Sequence, residues 1–469
     1  MSKFILIVTA IFALTGFKAI AQSGFDNYLK KDSTYRFNSS LKVLDSLLRK
    51  QTQNILTDTS FNNSFGKAGV FSLSQLLFAA INNNPELSAM QTKIESSNSL
   101  AEGKTYLPDP MFEFELDDIM SDFNRIGMIN FFISQMFPFP GKLELEKKSV
   151  QNSRAMMQSE RLSMAIDIMN MIKMNYYDLY LINHKIQINN DNQLLIKTFI
   201  AAAEAQYMVG KGMQQEIFKS QIEMSRLQNE DFILKQQRKN IFSELTKLTK
   251  IVVDDNTRIN FADIDMEYLL EQSSFAVNES QSNRLIDYAF LHRPDIKTLQ
   301  NKIIMNQTDL EMAKIERLPD FNIKLGYKIL PFEEKNAFAF MVGINLPFAP
   351  WSSGKYDHAI KRNEVIIKST TEELSAKKND IKNEITTIVN NMVALKETMN
   401  FYYGVQLPQT ENTMKSAQYS YETDMGSFLD LLDAYRMYQE SRIMFYESVA
   451  MYLKMIAELE KATGLNLKN

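Results

Sequence analysis

The chain of 469 residues is long enough for two or three ordinary domains, and it contains only 15 glycines, 11 prolines and no cysteine. This composition is typical of a helix-rich protein, and it excludes disulfides, thiolate catalysis, iron–sulfur ligation and a thiol-based lipid anchor. The formal net charge of −4 gives no basic surface of the kind that nucleic-acid binding requires.

The first 21 residues have the pattern of a secretory signal peptide. Lys3 gives a positive start, residues 4–16 form an apolar core, and Ala19-Ile20-Ala21 resembles a cleavage site. The apolar core is too short for a helix that crosses about 30 Å of hydrocarbon, so a membrane anchor is disfavoured. We therefore expect residues 1–21 to be removed on export.

Residues 22–70 are rich in serine, asparagine and threonine and are predicted to form a polar extension. No later segment has eighteen or more consecutive apolar residues, which excludes an inner-membrane helical transporter. A mature chain that contacts a membrane must therefore do so through β-structure or a surface.

The remainder of the chain is duplicated, with an offset near 210 residues. Four landmarks recur in the same order: 84–87 and 293–296; Leu107-Pro108-Asp109 and Leu318-Pro319-Asp320; Phe137-Pro138-Phe139 with Gly141-Lys142, and Leu346-Pro347-Phe348 with Gly354-Lys355; Ala205-Gln206-Tyr207 and Ala417-Gln418-Tyr419. A period this long predicts a duplicated domain, with its copies at 71–272 and 273–469.

Each copy is predicted to contain a helix, a hairpin of two strands and a long proline-free helical region, in that order. The first helix and the hairpin are predicted at 72–105 and 110–137 in the first copy, and at 281–316 and 320–347 in the second. The long helical regions begin at 141 and 351, and the chain has no proline from 141 to 293 or from 351 to 407. Candidate N-caps of the first helices are Ser72 in one copy and Ser280 or Ser282 in the other.

Apolar residues recur every seven positions in the long helical regions. The series are Leu227 to Leu248, Ile360 to Tyr402 and Leu431 to Leu459. A sustained period of seven predicts a coiled-coil seam. A helix over 141–208 would be about 100 Å long at 1.5 Å per residue. Pro408, which removes a backbone donor, is predicted to kink or restart the second long helix.

Two hairpin tips are predicted between paired long helices, at Gly210-Lys211-Gly212 and around Asp424-Met425-Gly426. The ordinary role of the glycines is to let the chain turn. The second tip has Asp424 where the first has Gly212, so its shape is predicted to depart from that of the first.

The predicted strands alternate apolar and polar residues. The apolar positions include Phe112, Phe114, Leu116, Ile129, Phe131, Ile133, Phe321, Ile323, Leu325, Tyr327, Ile329, Phe338, Phe340, Val342, Ile344 and Leu346. A soluble sheet with one buried face also alternates. These apolar faces, however, are strongly aromatic, and no amphipathic segment is left over to cover them. We therefore predict that lipid covers them.

A lipid-covered sheet needs further copies of the chain. In a bilayer every backbone polar group must be paired, so open sheet edges are forbidden. Four strands are too few for a barrel, because known single-chain barrels start at about eight. The strands must therefore be joined by other copies, and three copies would give twelve strands.

Across roughly residues 70–465 the chain resembles the TolC-like outer-membrane efflux proteins. The resemblance rests on the order and duplication of its landmarks: Leu76 to Leu87, the Leu-Pro-Asp before each hairpin, the Pro-x-Pro-Gly-Lys turn at 138–142, Tyr207 to Gln221, and Tyr419 to Ala434 with its Asp-Leu-Leu-Asp-Ala core. The resemblance implies a mainly α protein with membrane β: an internally duplicated, long α-helical barrel extending into the periplasm, and a transmembrane β-barrel completed by a homotrimer.

The resemblance also implies a function. The protein would be the passive exit duct of a tripartite efflux system, bound to a periplasmic adaptor and an inner-membrane transporter, with no cofactor and no enzymatic activity. It implies that Asp430 and Asp433 form rings at the periplasmic entrance. The alternative is that they are ordinary solvated carboxylates on the surface. The tip residues Gly210, Gly212, Asp424 and Gly426 become candidate adaptor contacts.

Other chemistry is poorly supported. His184, His292 and His358 share no ligand spacing, so no histidine metal site is predicted. Three methionines spaced by seven, at 157, 164 and 171, are typical of a helical core, and a methionine ion path is the alternative. The rival functions are a soluble periplasmic coiled-coil scaffold or adaptor, which leaves the aromatic hairpins unexplained, and a secreted enzyme.

Overall fold

The computed structural model describes residues 70–119, 126–255, 257–261, 264, 269, 279–330, 335–423 and 425–464. The predicted signal peptide and residues 22–69 of the predicted extension lie outside the described residues. The helices are α1 (Leu73–Asn83), α2 (Pro85–Gly103), α3 (Lys142–Met208), α4 (Gln214–Thr249), α5 (Glu279–His292), α6 (Pro294–Ile315), α7 (Ser353–Phe401), α8 (Leu407–Glu422) and α9 (Phe428–Thr463). The strands are β1 (Val70–Phe71), β2 (Met111–Ile119), β3 (Ile126–Phe137), β4 (Arg258–Ile259), β5 (Phe321–Leu330) and β6 (Lys335–Ile344).

The first helix of each copy is broken by a proline, so the single helices expected at 72–105 and 281–316 are wrong. Pro85 and Pro294 each occupy the first turn of a new helix, where a missing N–H is no loss. Proline also forces the residue before it out of the helical conformation, and ψ is 123° at Asn84 and 128° at Arg293.

One of the predicted N-caps is present. Ser72 caps α1 through a capping box, in which its hydroxyl accepts from the Gln75 amide and the Gln75 side chain accepts from the Ser72 amide. Ser280 and Ser282, by contrast, lie inside α5, which is helical from Glu279 onward, so neither is its N-cap.

The long helix predicted over 141–208 is confirmed as α3, whose 67 residues extend for about 100 Å. The restart expected at Pro408 is also confirmed. A single π-helical turn, Tyr402–Gln406, separates α7 from α8, and Pro408 lies in the first turn of α8. The wider turn accommodates the backbone carbonyl that the proline cannot bond.

The core lies along the seams between the long helices. Its largest cluster joins α1, α3, α4 and α9 through fully buried side chains such as Tyr176, Leu245 and Val449. The predicted heptad residues Leu227, Leu234 and Leu248 are buried as well. None of the described helices is long and apolar enough to cross a membrane.

The strands of the two copies form one antiparallel sheet in the order β2-β3-β5-β6. Hairpin β2–β3 comes from the first copy and hairpin β5–β6 from the second, and β3 pairs with β5 to join them. β1 and β4 form a separate parallel pair of two residues each. The described part of the molecule is thus mostly helical with a small sheet, which confirms the mainly α prediction.

Candidate functional surfaces of the sheet and the helical tips

One face of the sheet is apolar across all four strands. Residues paired directly on neighbouring strands share a face, and one such row is aromatic throughout: Phe114 pairs with Phe131, Phe131 with Tyr327, and Tyr327 with Phe338. Ring centroids in this row are 5.3 Å apart between Phe114 and Phe131, and 5.4 Å between Tyr327 and Phe338. The strand pairing therefore merges the four alternating patterns into one surface.

This apolar face is open to its surroundings. The described helices make no extensive contact with either face of the sheet. Phe338 is 89% exposed and Phe340 is 67% exposed. Among the side chains predicted to face lipid, Ile133, Phe321, Leu325, Phe338, Phe340, Val342 and Ile344 are exposed, whereas Ile129, Phe131 and Ile323 are partly buried. A soluble protein rarely leaves a continuous apolar patch of this kind uncovered.

The opposite face is polar and crowded. It carries acidic side chains on β2 (Glu113, Glu115, Asp117) and lysines on β5 (Lys324, Lys328). Although no helix covers this face, Asn130, Phe132 and Ser134 at its centre are almost completely buried. Such crowding indicates that the sheet curls with its polar face on the concave side.

Phe132 is held on the polar face by glycine and lysine. A Cβ atom at Gly326 would lie 2.4 Å from the Phe132 ring, so only glycine leaves room for the aromatic side chain. The Lys324 ammonium lies 4.3 Å from the ring centroid and also pairs with Glu113. The alternation of β3 places Phe132 among polar residues, and the glycine opposite it is revealed only by the pairing of β3 with β5.

Both edges of the sheet are unpaired within the described residues. β2 forms one edge with nine residues and β6 forms the other with ten. Long unpaired edges of this kind expose rows of backbone N–H and C=O groups that pair readily with another strand.

The first helical tip is a compact turn between α3 and α4. Gly210 has φ +76°, a conformation that suits glycine. The Gln206 carbonyl accepts from the amides of Lys211 at 2.9 Å and Gly212 at 3.0 Å. A Cβ atom at Gly212 would lie 3.0 Å from the backbone nitrogen of Tyr207, so this position also requires glycine.

The second tip, between α8 and α9, repeats these hydrogen bonds. The Ser420 carbonyl accepts from the amides of Met425 at 2.8 Å and Gly426 at 3.0 Å, and a Cβ atom at Gly426 would lie 2.8 Å from that of Ser420. Gly426 is therefore the equivalent of Gly212, and the expectation that this glycine is missing is wrong. The two repeats are therefore shifted by two residues at this tip relative to the alignment that places Asp424 opposite Gly212. Asp424 itself lies outside the described residues.

The candidate gate carboxylates lie at the start of α9. Ser427 caps the helix, because its hydroxyl accepts from the Asp430 amide at 3.1 Å, and the Asp430 carboxylate in turn accepts from that hydroxyl at 2.8 Å. The Asp433 side chain is 68% exposed, and its carboxylate lies 3.8 Å from the Arg436 guanidinium. Both side chains are exposed on the described chain.

A buried carboxylate near the tips was missed by the sequence analysis. Glu223 of α4 is 1% exposed and contacts Arg226 at 2.6 Å and Arg436 of α9 at 2.8 Å. Burial alone raises the pKa of Glu223, but hydrogen bonds and charge from the two arginines outweigh burial and hold the pKa below its ordinary value. Glu223 lies four residues before Leu227, on the same face of α4, which was the only indication in the sequence that a charge lies near the seam.

Metal-binding groups are not assembled. Among the residues that the structure describes, no three histidine, aspartate or glutamate side chains are placed to hold an ion. Of the three methionines spaced by seven, Met157 is buried whereas Met171 is 48% exposed. His184 stacks on Tyr446 with ring centroids 4.0 Å apart, and burial followed by the Arg442 charge lowers its pKa.

Comparison with known proteins shows the same fold in solved structures. No protein-family model and no curated protein sequence matches the chain. The outer membrane protein VceC from Vibrio cholerae is similar with a TM-score of 0.68 at 14% identity, over 84% of this chain and 97% of VceC. The CmeC outer membrane channel of Campylobacter jejuni has a TM-score of 0.68 at 13% identity, over 84% and 85%. CusC, a protein whose crystal structures concern its folding and transmembrane channel formation, has a TM-score of 0.70 at 14% identity, over 84% of this chain and 92% of CusC. The chain thus has the fold of these outer-membrane channels, and the resemblance to the TolC-like outer-membrane efflux proteins is confirmed at the level of the fold.

Proposed function

We propose that the protein is the outer-membrane channel of a tripartite efflux system, acting as a homotrimer and as a passive exit duct. The observation that carries the proposal is the sheet: its aromatic, apolar face is open, and both of its edges are unpaired within the described residues. Lipid covers the apolar face, and a neighbouring copy pairs with each edge, so that three copies close a barrel of twelve strands.

The helices supply the second half of the duct. At about 100 Å, α3 is roughly three times as long as a bilayer core is thick. We place this helical region in the periplasm, where it carries solutes from an inner-membrane transporter and its periplasmic adaptor to the barrel. Transport through the duct is passive, because the transporter supplies the driving force.

The tips are the proposed entrance. Asp430 and Asp433 are exposed at the start of α9, and three copies of each form acidic rings around the axis that attract cations and repel anions. Gly212 and Gly426 shape two similar turns, which we assign as adaptor contacts together with Gly210 and Asp424.

The decisive experiment is a mass determination of the processed protein in detergent, followed by conductance measurements in planar bilayers. We expect a complex of three chains that forms discrete conducting channels. A monomer in detergent, or recovery of the protein in the aqueous periplasmic fraction, would contradict the proposal and favour the periplasmic scaffold.

A further inference from the structure

Asp320 ties the two copies of the repeat together where the sheet meets the helices. Its carboxylate accepts from the Lys142 ammonium at 2.7 Å and from the Phe139 amide at 2.8 Å. The side chains of Lys142 and Asp320 are each only 13% exposed. The residue before β5 in the second copy is thus bound to the segment that follows β3 in the first.

The duplication supplies the same three groups a second time. Asp109 stands before β2 as Asp320 stands before β5, and Phe348 and Lys355 follow β6 as Phe139 and Lys142 follow β3. Among the described residues, Asp109 and Lys355 have no ion-pair partner, and both are exposed. Four additional residues precede Gly354 in the second copy, but Lys355, like Lys142, lies in the first turn of its long helix.

The second set cannot come together within one chain. Asp109 lies at the β2 edge of the sheet and Lys355 follows the β6 edge. The two edges are three strand spacings apart, about 14 Å at 4.8 Å per spacing. A carboxylate and an ammonium group at opposite edges can pair only when the edges of two chains meet.

The helices next to the sheet also leave one surface without a packing partner within the described part of the chain. α6 packs between α3 and α7, whereas α2 packs extensively only against α3. Thirteen of the nineteen residues of α2 are exposed, compared with five of the twenty-two residues of α6. α6 belongs to the second repeat and packs against α3, the long helix of the first repeat. The equivalent contact for α2, which belongs to the first repeat, is with the long helix of the second repeat. That helix is α7, which carries Lys355.

We propose that Asp109 binds Lys355 and the Phe348 amide of a second copy of this chain. Each junction between subunits then reproduces the contact that Asp320 makes with Lys142 and Phe139 inside the chain. In a trimer, three internal and three intersubunit contacts form a ring of six ion pairs at the base of the barrel. This inference rests on the proposed trimer.

Cross-linking tests the contact directly, because the chain has no native cysteine. We would prepare D109C/K355C and the matched internal pair K142C/D320C. Because the long lysine side chain can bridge Cα atoms that lie farther apart than the roughly 7 Å that a disulfide tolerates, a short bifunctional thiol reagent is used. We expect D109C/K355C to give covalent dimers and trimers on a denaturing gel. The internal pair should lose its free thiols without a change in size.

The outcomes separate this inference from the proposed function. A native trimer whose D109C/K355C chains remain monomeric on the denaturing gel, although K142C/D320C reacts, overturns the intersubunit contact and leaves the trimer intact. A native monomer overturns both.

Charge exchange provides a second test. D109K should reduce the fraction of trimer that survives a denaturant concentration tolerated by the unaltered protein, and D109K/K355D should restore it. A further loss in the double variant would show that the two side chains do not pair.

Discussion

Glu223 is a carboxylate inside a helical seam, where a coiled coil ordinarily places apolar side chains. It joins Arg226 on its own helix and Arg436 on α9, and so fixes α4 against α9 near the tips. An ion pair of this kind adds less to stability than to the choice of one arrangement, since desolvation offsets much of the attraction. Removing one partner is nevertheless costly, because the others keep their charge.

Glu223→Gln should lower the free energy of unfolding by about 1–3 kcal/mol at neutral pH. This is less than the loss at a fully buried pair, because Arg226 and Arg436 are 55% and 46% exposed. The folded-state pKa of Glu223 is lowered, so its stabilisation is present above the unfolded pKa and is lost as the pH falls through the folded pKa. Denaturant unfolding at neutral and acid pH measures the difference.

The matched control is Glu230→Gln, which removes a more exposed partner of Arg226 at 3.2 Å. Its effect should be close to zero, as for most exposed pairs. An equal loss in the two variants, or a loss in Glu223→Gln that persists in acid, would contradict the assigned role of the buried charge.

The two aspartates at the start of α9 should have separable effects. Asp430→Ala removes a gate charge together with the hydrogen bond from the Ser427 hydroxyl and a favourable charge in the first turn of α9, and is expected to cost up to about 1 kcal/mol of stability. Asp433→Ala removes a gate charge and an exposed ion pair with Arg436, so its effect on stability should be close to zero. If three copies form the proposed acidic rings, these rings constrict the entrance, and the double variant should show increased single-channel conductance in planar bilayers. Unchanged conductance in the double variant would remove the gate assignment.

At the scale of elements, periodicity predicted the parts that depend on a long repeated pattern. The heptads led to α4, α7 and α9, and the alternation located the strands, since burial along a seam or face repeats with the backbone geometry. Pro85 itself indicates the break, because proline begins a helix readily but disrupts the interior of one. Gly212 and Gly426 are equivalent because each donates to a single backbone carbonyl in its own turn, a relation that residue spacing alone does not reveal.

The relations between strands could not be predicted from one sequence. The pairing of β3 with β5 joins residues about 200 positions apart, and no local pattern encodes it. The Phe132–Gly326 contact is a consequence of that pairing. The buried Glu223 likewise depends on Arg436, more than 200 residues away. Sequence reasoning thus identified which faces are apolar, and the structure identified what meets them.

A charge on the apolar face of the sheet should impair assembly in the membrane. Phe340→Lys is expected to cost about 2–4 kcal/mol if it lies near mid-bilayer. The matched control is Ala339→Lys, one residue away on the polar face, which should be tolerated because that face does not contact lipid in the proposed barrel. The measurement is the yield of heat-modifiable oligomers from outer membranes. Equal yields from both variants would contradict lipid exposure of the apolar face.

At the scale of the whole molecule, the sheet and the helices meet at a short segment that carries exposed aromatic residues. Tyr106 is 74% exposed just before β2, and Trp351 is 89% exposed just before α7. Tryptophan and tyrosine concentrate where hydrocarbon meets water, because their rings have one apolar and one polar end. If the sheet spans the outer membrane and the helices do not, this segment lies at the periplasmic surface of the bilayer.

Trp351 can report this position, because it is the only tryptophan of the chain. In proteoliposomes we expect its fluorescence to be shifted to shorter wavelength and to be quenched by labels attached near the lipid headgroups more strongly than by labels at the ends of the acyl chains. The depth follows from the geometry, since the sheet ends at Ile344 and the chain must leave the bilayer before α7 begins. Emission typical of full exposure to water would contradict membrane insertion of the sheet. Short-wavelength emission without lipid quenching would show instead that a neighbouring chain covers Trp351, which would move the membrane boundary away from this segment.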